Sequence, residues 1–117
     1  MSTDLGQRAE QRACDHLVRN GYEILDRNFR FARVGELDIV ARHGDTIVFV
    51  EVRYRTYQSY GSPEASITRR KVERLRRTAG MWLSMRNVVD VPCRFDVIAV
   101  EMMTGNSGLR HLVDAFT

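Results

Sequence analysis

The sequence is poor in the residues that organise secreted, membrane-bound or zinc-stabilised proteins. It has two cysteines and two prolines among 117 residues. Cys14 and Cys93 are too isolated for a disulfide framework or a zinc-ligand spacing, so we expect no zinc and predict that both thiols fill the core. No apolar run approaches the roughly 18 residues of a membrane-spanning helix. No secretory pattern opens the chain, so we expect a cytoplasmic protein with no membrane partner.

Lysine is almost missing, because Lys71 is the one lysine among 18 basic residues. A single lysine in an arginine-rich chain suggests a task that needs a compact ammonium group. Glycine-rich phosphate loops, dinucleotide-binding motifs and the G-x-S-x-G elbow are also missing, which argues against nucleotide-binding and serine-hydrolase classes. The net charge of +3 favours a polyanionic partner, although only modestly.

The clearest feature that is present is a hairpin from Gly35 to Arg55. Two apolar runs with period-two alternation flank Gly44-Asp45, a dipeptide suited to a two-residue turn. Opposed residues then have numbers that sum to 89, as 44 and 45 do, so Asp38 is expected to face Glu51 and Glu36 to face Arg53. Like charges opposed across two strands destabilise a sheet, so something must offset the repulsion.

The other face of this hairpin is apolar. Leu37 and Ile39 are expected to meet the valines of the second strand and to anchor the hairpin to a core. The charged face would then stay open to chemistry.

Periodicity divides the rest of the chain into two helices and several strands within a single domain over residues 1–117. A first helix is predicted from Asp4 to about Asn20. A second helix is predicted to begin at Ser62 or Ser66 and to end near Arg86. Strands are predicted at 22–31 and 93–102, and a last extended segment at 109–113. In the 22–31 strand, Leu25, Phe29 and Phe31 are expected on one face and Asp26, Asn28 and Arg30 on the other. The order αβββαβ predicts an α/β (α+β) fold with a mixed sheet flanked by helices.

Glu10 projects beside the apolar stripe of the first helix and therefore needs a partner. A salt bridge to an arginine is the structural interpretation, and a functional role is the alternative. An acid on one strand, Glu-x-basic on the next and a third acid from a preceding helix would suit Mg²⁺, which prefers hard oxygen ligands and keeps several waters.

The combined motifs cover nearly the whole chain. They are Gly6-x-x-x-Glu10, Gly21-Tyr22-x-Ile24-Leu25-x-Arg27-Asn28, Gly35-Glu36-Leu37-Asp38, Val48-Phe49-Val50-Glu51-Val52, Lys71 and Arg94-Phe95-Asp96-Val97. In these motifs the chain resembles the YraN family of small bacterial proteins, which in turn resembles the PD-(D/E)XK nucleases and their Holliday-junction resolvases. The resemblance implies a restriction-endonuclease-like core and Mg or Mn held by Asp38, Glu51 and Glu10.

The resemblance also implies a catalytic set of Glu10, Asp38, Glu51, Arg53 and Lys71. YraN sequences usually read Glu-Val-Lys where this chain reads Glu51-Val52-Arg53, and arginine cannot act as a base. Arg53 could still clamp a phosphate or stabilise the transition state, and Lys71 is the candidate for the displaced lysine. Loss of catalysis with retained binding is the alternative.

Basic and aromatic side chains outside the acidic set are the expected contacts for DNA. Tyrosines interleaved with arginines offer stacking platforms beside phosphate-binding charges, although loop tyrosines also serve as packing and exposed helix arginines as a solvated face. The leading hypothesis is a metal-dependent endonuclease-like protein acting on DNA, with branched or single-stranded forms as candidates. The alternatives are an inactive nucleic-acid-binding module and a scaffold in a DNA-processing assembly, and a homodimer is left open. The predicted nucleic-acid contacts are Arg55, Tyr57, Tyr60, Arg70, Arg74 and Arg77.

Overall fold

The computed structural model describes residues 4–56, 61–102 and 108–116. In chain order the elements are α1 (Asp4–Arg19), β1 (Glu23–Phe31), β2 (Gly35–His43), β3 (Thr46–Arg55), a 3₁₀ helix (Pro63–Ser66), α2 (Arg69–Met85), β4 (Cys93–Glu101) and β5 (Leu109–Phe116). One five-stranded sheet has the order β1-β2-β3-β4-β5, and only the β3–β4 pair is parallel. The expected αβββαβ order with a further edge strand is confirmed. Among the described residues, no helix is long and apolar enough to cross a membrane.

Both faces of the sheet are covered, which corrects the expectation of one open face. Ala13 and Leu17 of α1 pack with Val48 and Val50 on one side. On the other side, Trp82 and other α2 side chains pack against the opposite face. The reason is that β3 lies between β2 and β4 and reads as a continuous apolar run, which is typical of a strand buried on both faces. A functional site on this sheet therefore has to form where strands end or separate.

The hairpin register is confirmed near the turn and ends before the acidic residues. Gly44 has a φ of +62°, and the pairs run from His43↔Thr46 to Ile39↔Val50, as the sum of 89 requires. The pairing of β2 with β3 ends at Ile39↔Val50 and does not extend to Glu36 and Arg53. Glu36 instead pairs with Arg30 of β1, 3.0 Å away, so the expected Glu36–Arg53 contact is wrong.

The first strand contains a bulge that changes the predicted direction of Asp26. The register of β1 against β2 shifts between Ile24 and Asp26. An extra residue in one strand turns the side chains that follow it to the other face. Asp26 therefore accepts hydrogen bonds from Trp82 Nε1 and Arg86, each at 3.0 Å, on the α2 side. The prediction that Asp26 lies opposite Leu25 was wrong.

Two smaller predictions also require correction. Thr68, and neither Ser62 nor Ser66, caps α2, because its hydroxyl oxygen accepts from the Lys71 backbone N–H at 3.1 Å. Ser62 instead precedes the 3₁₀ helix and makes no side-chain cap bond. Cys14 is buried as predicted, but Cys93 is exposed, because it is the first residue of β4 and lies outside the packed part of the strand.

Candidate functional site

Asp38 and Glu51 meet where β2 and β3 separate beyond Ile39↔Val50. The Asp38 Oδ2 atom accepts a hydrogen bond from the Val52 backbone N–H at 2.8 Å, and the two carboxyl groups are hydrogen-bonded to each other. Glu51 is only 4% exposed. The Glu51 Oε2 atom lies 3.1 Å from an Arg53 guanidinium nitrogen and 3.6 Å from Lys71 Nζ. Four of the five predicted catalytic residues therefore form one connected cluster.

An irregularity shared by β1 and β2 brings these carboxyl groups together. Leu37 packs on the α2 side while Ile39 packs on the α1 side, so β2 changes face at Asp38. Asn28 lies beside this point, between the pairs Arg27↔Ile39 and Phe29↔Leu37, and has a φ of +54°. Asparagine tolerates this left-handed conformation better than most residues. A strictly alternating β2 could not place both Leu37 and Ile39 in opposite cores.

A close contact between β2 and α2 positions Lys71. A Cβ atom added to Gly35 would lie 2.8 Å from Thr78 Oγ1, and that hydroxyl donates to the Arg74 carbonyl oxygen at 2.7 Å. Because the missing side chain lets α2 approach β2, the first turn of α2 reaches Glu51. Gly35 stands in the Gly35-Glu36-Leu37-Asp38 motif of the sequence, but the sequence did not reveal that this glycine lets α2 pack closely on β2.

The acidic groups hold their protons more tightly than free carboxyl groups do. Burial raises the pKa of Glu51 to about 8, and the charge of Asp38 adds to this rise despite the opposing effects of Lys71 and Arg53. Burial also raises the pKa of Asp38. The pKa of Glu10 is raised by burial and then by Asp38, while a hydrogen bond from Asn28 opposes the rise. A site with these shifts is suited to receive a further cation.

The donor set fits a hard divalent ion. Asp38 and Glu51 supply carboxylate oxygens, and Mg²⁺ commonly binds proteins through one or two carboxylates while waters and phosphates complete its octahedron. Within residues 4–56, 61–102 and 108–116, no three His, Cys, Asp or Glu side chains are placed to hold an ion by themselves. Glu10 interacts with Asp38 electrostatically, so it adds negative charge to the site from α1.

The predicted nucleic-acid contacts divide into three groups. Arg55 is paired with Glu101 at 3.0 Å and donates to the Gly61 carbonyl oxygen at 3.2 Å. Part of its guanidinium group is therefore already bonded within the protein. Tyr57 and Tyr60 lie outside the described residues. The arginines of α2 lie together on an open groove.

This arginine groove runs between α2 and the β1–β2 turn and has a volume of about 860 Å³. Arg74 Nε donates to the Val34 carbonyl oxygen at 3.3 Å, which ties the helix to the turn. Arg33, which the sequence reading missed because it lies in a turn, is brought to the groove by this contact. Arg70 precedes Lys71 in α2, so the helix that lines the groove also carries the lysine next to Glu51. The groove is lined by Ala32, Arg33, Val34, Arg70, Glu73, Arg74 and Arg77.

These features define the class of protein: a small α+β protein whose mixed sheet and two helices are consistent with a restriction-endonuclease-like core. Sequence comparison then gives the family. The sequence model described as "Uncharacterised protein family UPF0102" matches residues 9–100, and the chain belongs to this family, which is the YraN family.

Three bacterial relatives illustrate the similarity. A UPF0102 protein of Hahella chejuensis is 40% identical over 116 residues, covering 99% of this chain and 92% of the relative. One from Geobacter sulfurreducens is 43% identical over 113 residues, covering 96% and 88%. One from Moorella thermoacetica is 48% identical over 95 residues, covering 81% and 78%.

Proposed function

We propose that this protein is a metal-dependent nuclease that hydrolyses phosphodiester bonds of DNA. The observation that carries the proposal is the pair formed by half-buried Asp38 and buried Glu51, whose pKa values stay raised beside Lys71, a residue of the helix that also lines the arginine groove. Perturbed carboxyl groups next to a lysine, with exposed arginines on the same helix as that lysine, are the combination expected of a phosphoryl-transfer site.

Asp38 and Glu51 would hold Mg²⁺ or Mn²⁺. Such an ion, when bound, neutralises charge on a phosphate oxygen and lowers the pKa of a coordinated water. The Val52 N–H fixes one oxygen of Asp38, and an ion would replace the proton that Asp38 and Glu51 share. Glu10 would support the site by adding negative charge from α1.

Lys71 would take the role of the family's usual lysine, because this chain has Arg53 at that position. Its ammonium lies 3.6 Å from Glu51 Oε2, so α2 delivers a lysine to the carboxylate that the family's usual lysine would neighbour. An ammonium can orient a water or stabilise charge that develops on the phosphate. Arg53 remains charged and is suited to clamping a phosphate.

The arginine groove would hold the DNA backbone. Arg70, Arg74 and Arg77 are exposed on the same helix as Lys71, so one helix would carry both the phosphate contacts and the lysine beside Glu51. Contacts of this kind position DNA without reading its sequence.

A nicking assay on supercoiled plasmid tests the catalytic proposal. Wild type should nick in Mg²⁺ or Mn²⁺ and lose activity in chelator, in Asp38→Asn and in Lys71→Met, because each change removes a member of the cluster. Arg53→Lys should nick faster than wild type, since it restores the family's usual residue. Background nicking by all variants alike would overturn the proposal.

A binding module without catalysis is the second candidate. It is favoured because Arg53, which stands where the family usually has lysine, forms an ion pair with Glu51. DNA binding should then be salt-sensitive and independent of sequence, and each groove arginine changed to Ala should lower the log–log salt slope by about one unit. Arg76→Ala is the matched control, because Arg76 is exposed on α2 but does not line the groove. Fluorescence anisotropy with duplex and junction DNA measures the slope.

A further inference from the structure

Arg53 is held at the site with one of its hydrogen-bond donors unpaired among the described residues. One terminal nitrogen lies 3.1 Å from Glu51 Oε2, but the Nε–H group is buried and finds no acceptor among the described residues. A buried donor without an acceptor costs free energy, so a native structure that retains one calls for an explanation.

The same carboxylate oxygen also serves Lys71. Lys71 Nζ lies 3.6 Å from Glu51 Oε2, so two cations share one oxygen of a side chain that is almost fully buried. Positive charge is therefore already present where a divalent ion would approach Glu51. The Arg53 side chain is 27% exposed, which leaves it an outward path that the carboxyl group lacks.

We propose that Arg53 is an exchangeable cation, which occupies Glu51 in the resting protein and transfers to a phosphate group when a divalent ion takes the carboxylate. This inference rests on the proposed function, because it requires an ion at Asp38 and Glu51 and a phosphodiester beside them. A divalent ion repels the guanidinium, and a phosphate offers several acceptor oxygens. The planar fork of arginine can then use Nε–H and a terminal N–H together.

The backbone of Lys71 is fixed at the start of α2. Its backbone N–H donates to the Thr68 hydroxyl in the first turn of α2, and the Gly35–Thr78 contact fixes that helix against β2. Arg53 lies beyond the paired part of β2 but is paired with Ala99 of β4, so its backbone is also held in the sheet. The exchange is assigned to Arg53 because its buried Nε–H lacks an acceptor among the described residues, which a phosphate oxygen would supply.

The exchange couples ion binding to DNA binding. Without DNA, an ion must displace Arg53 and leave it without a counter-charge, so ion affinity is reduced. With DNA, the displaced guanidinium finds a phosphate, so ion affinity rises. Linkage requires the ion to tighten DNA binding by the same factor, and such couplings are typically about 5- to 150-fold.

Isothermal titration calorimetry with Mn²⁺ tests this inference in wild type and Arg53→Met. Methionine keeps much of the apolar stem and removes the competing charge. Arg53→Met should bind Mn²⁺ alone about tenfold more tightly than wild type. A short duplex with a hydrolysis-resistant phosphorothioate backbone should tighten Mn²⁺ binding by wild type about tenfold and by Arg53→Met much less.

Arg42→Met is the charge-matched control, because Arg42 pairs with Glu23 at the opposite end of the hairpin, and it should behave as wild type. Equal Mn²⁺ affinities of wild type and Arg53→Met, with or without the duplex, would overturn the exchange and leave the ion site intact. Absence of Mn²⁺ binding in all three proteins would overturn the proposed function as well.

Nuclear magnetic resonance of the wild type gives a second test that needs no variant. The Arg53 Nε–H resonance should shift during a Mg²⁺ titration and saturate together with the ion site, and duplex should move the midpoint to lower Mg²⁺. The Arg42 resonance should stay in place. An Arg53 resonance that ignores Mg²⁺ while calorimetry records binding would contradict the exchange.

Discussion

Two clusters of buried carboxyl groups lie on the same sheet and are compensated in opposite ways. Asp96 on β4 is fully buried and accepts hydrogen bonds from Arg94, His111 and the Asp114 backbone N–H. Burial alone would raise the pKa of Asp96, but these bonds outweigh burial and lower it. The pKa of Glu51 instead rises to about 8, because burial and Asp38 outweigh Lys71 and Arg53.

Under the proposed function, this difference separates a structural carboxylate from the proposed ion site. The partners of Asp96 complete a closed network in which Arg94 also donates to the Tyr22 hydroxyl at 2.6 Å. Asp38 and Glu51 instead have raised pKa values at a point where two strands separate. Proteins commonly accept such a loss of stability where function requires it.

The largest expected effect is the loss of Asp96. Asp96→Ala should lower the free energy of unfolding by about 3–5 kcal/mol, because it removes the buried acceptor of the Arg94, His111 and Asp114 hydrogen bonds and leaves half-buried Arg94 without its counter-charge. Urea unfolding measures the change. Asp38→Ala, measured in chelator, should cost far less, and equal losses in the two variants would remove the proposed difference between the clusters.

Gly35→Ala should have the next largest effect. The added methyl group would meet Thr78 Oγ1 at 2.8 Å, and overpacking of this kind costs about 1–3 kcal/mol. Because α2 would have to move away from β2, Lys71 should also lose its place beside Glu51. Gly80→Ala, on α2, is the control, since nothing lies within 4 Å of the added atom. It should stabilise the protein by about 0.4–1 kcal/mol. Thermal melting would contradict this account if both variants changed in the same direction.

The smallest effect is on the pH dependence of stability, and the two clusters should give opposite signs. The folded protein holds the Glu51 proton more tightly than the unfolded chain does. The contribution of Glu51 to stability is therefore greatest below pH 4.5 and falls as pH rises toward about 8. The slope from this proton is at most about 1.4 kcal/mol per pH unit. Asp96 contributes stability above its ordinary pKa of 3.8, which is lost as pH falls below that value.

Urea unfolding at a series of pH values measures both contributions. Glu51→Gln should flatten the slope between pH 4.5 and about 8, because glutamine has no proton to lose there. Asp96→Asn should flatten the loss at low pH. An unchanged slope in Glu51→Gln would show that the raised pKa belongs to another group.

The sequence predicted the parts of the fold that local chemistry determines. The Gly44-Asp45 turn set the register from His43↔Thr46 to Ile39↔Val50, and the motifs marked Asp38 and Glu51 before any coordinates. The contact of Lys71 with Glu51 could be anticipated only as a candidate, because it depends on how closely α2 packs on β2.

The remaining features depend on packing between distant segments. The left-handed Asn28 and the change of face at Asp38 arise from fitting one strand between two cores, and neither has a local signal. The bulge before Asp26 is fixed by the Trp82 indole, 56 residues further along the chain. The Asp96 network was missed because His111 reaches it only through the pairing of β4 with β5.

The central claim is that Asp38 and Glu51 form an ion site and not a salt-bridge cluster, and thermal melting of wild type and Glu51→Gln tests it most directly. In chelator, Glu51→Gln should melt at the same temperature as wild type or higher, because glutamine replaces a carboxyl group whose ionised form is disfavoured by burial and by Asp38. Mn²⁺ at one hundred times its Kd should stabilise wild type by about 2.7 kcal/mol and leave the variant unchanged. If Glu51→Gln melts well below wild type in chelator and neither protein responds to Mn²⁺, the pair is structural and the ion site does not exist.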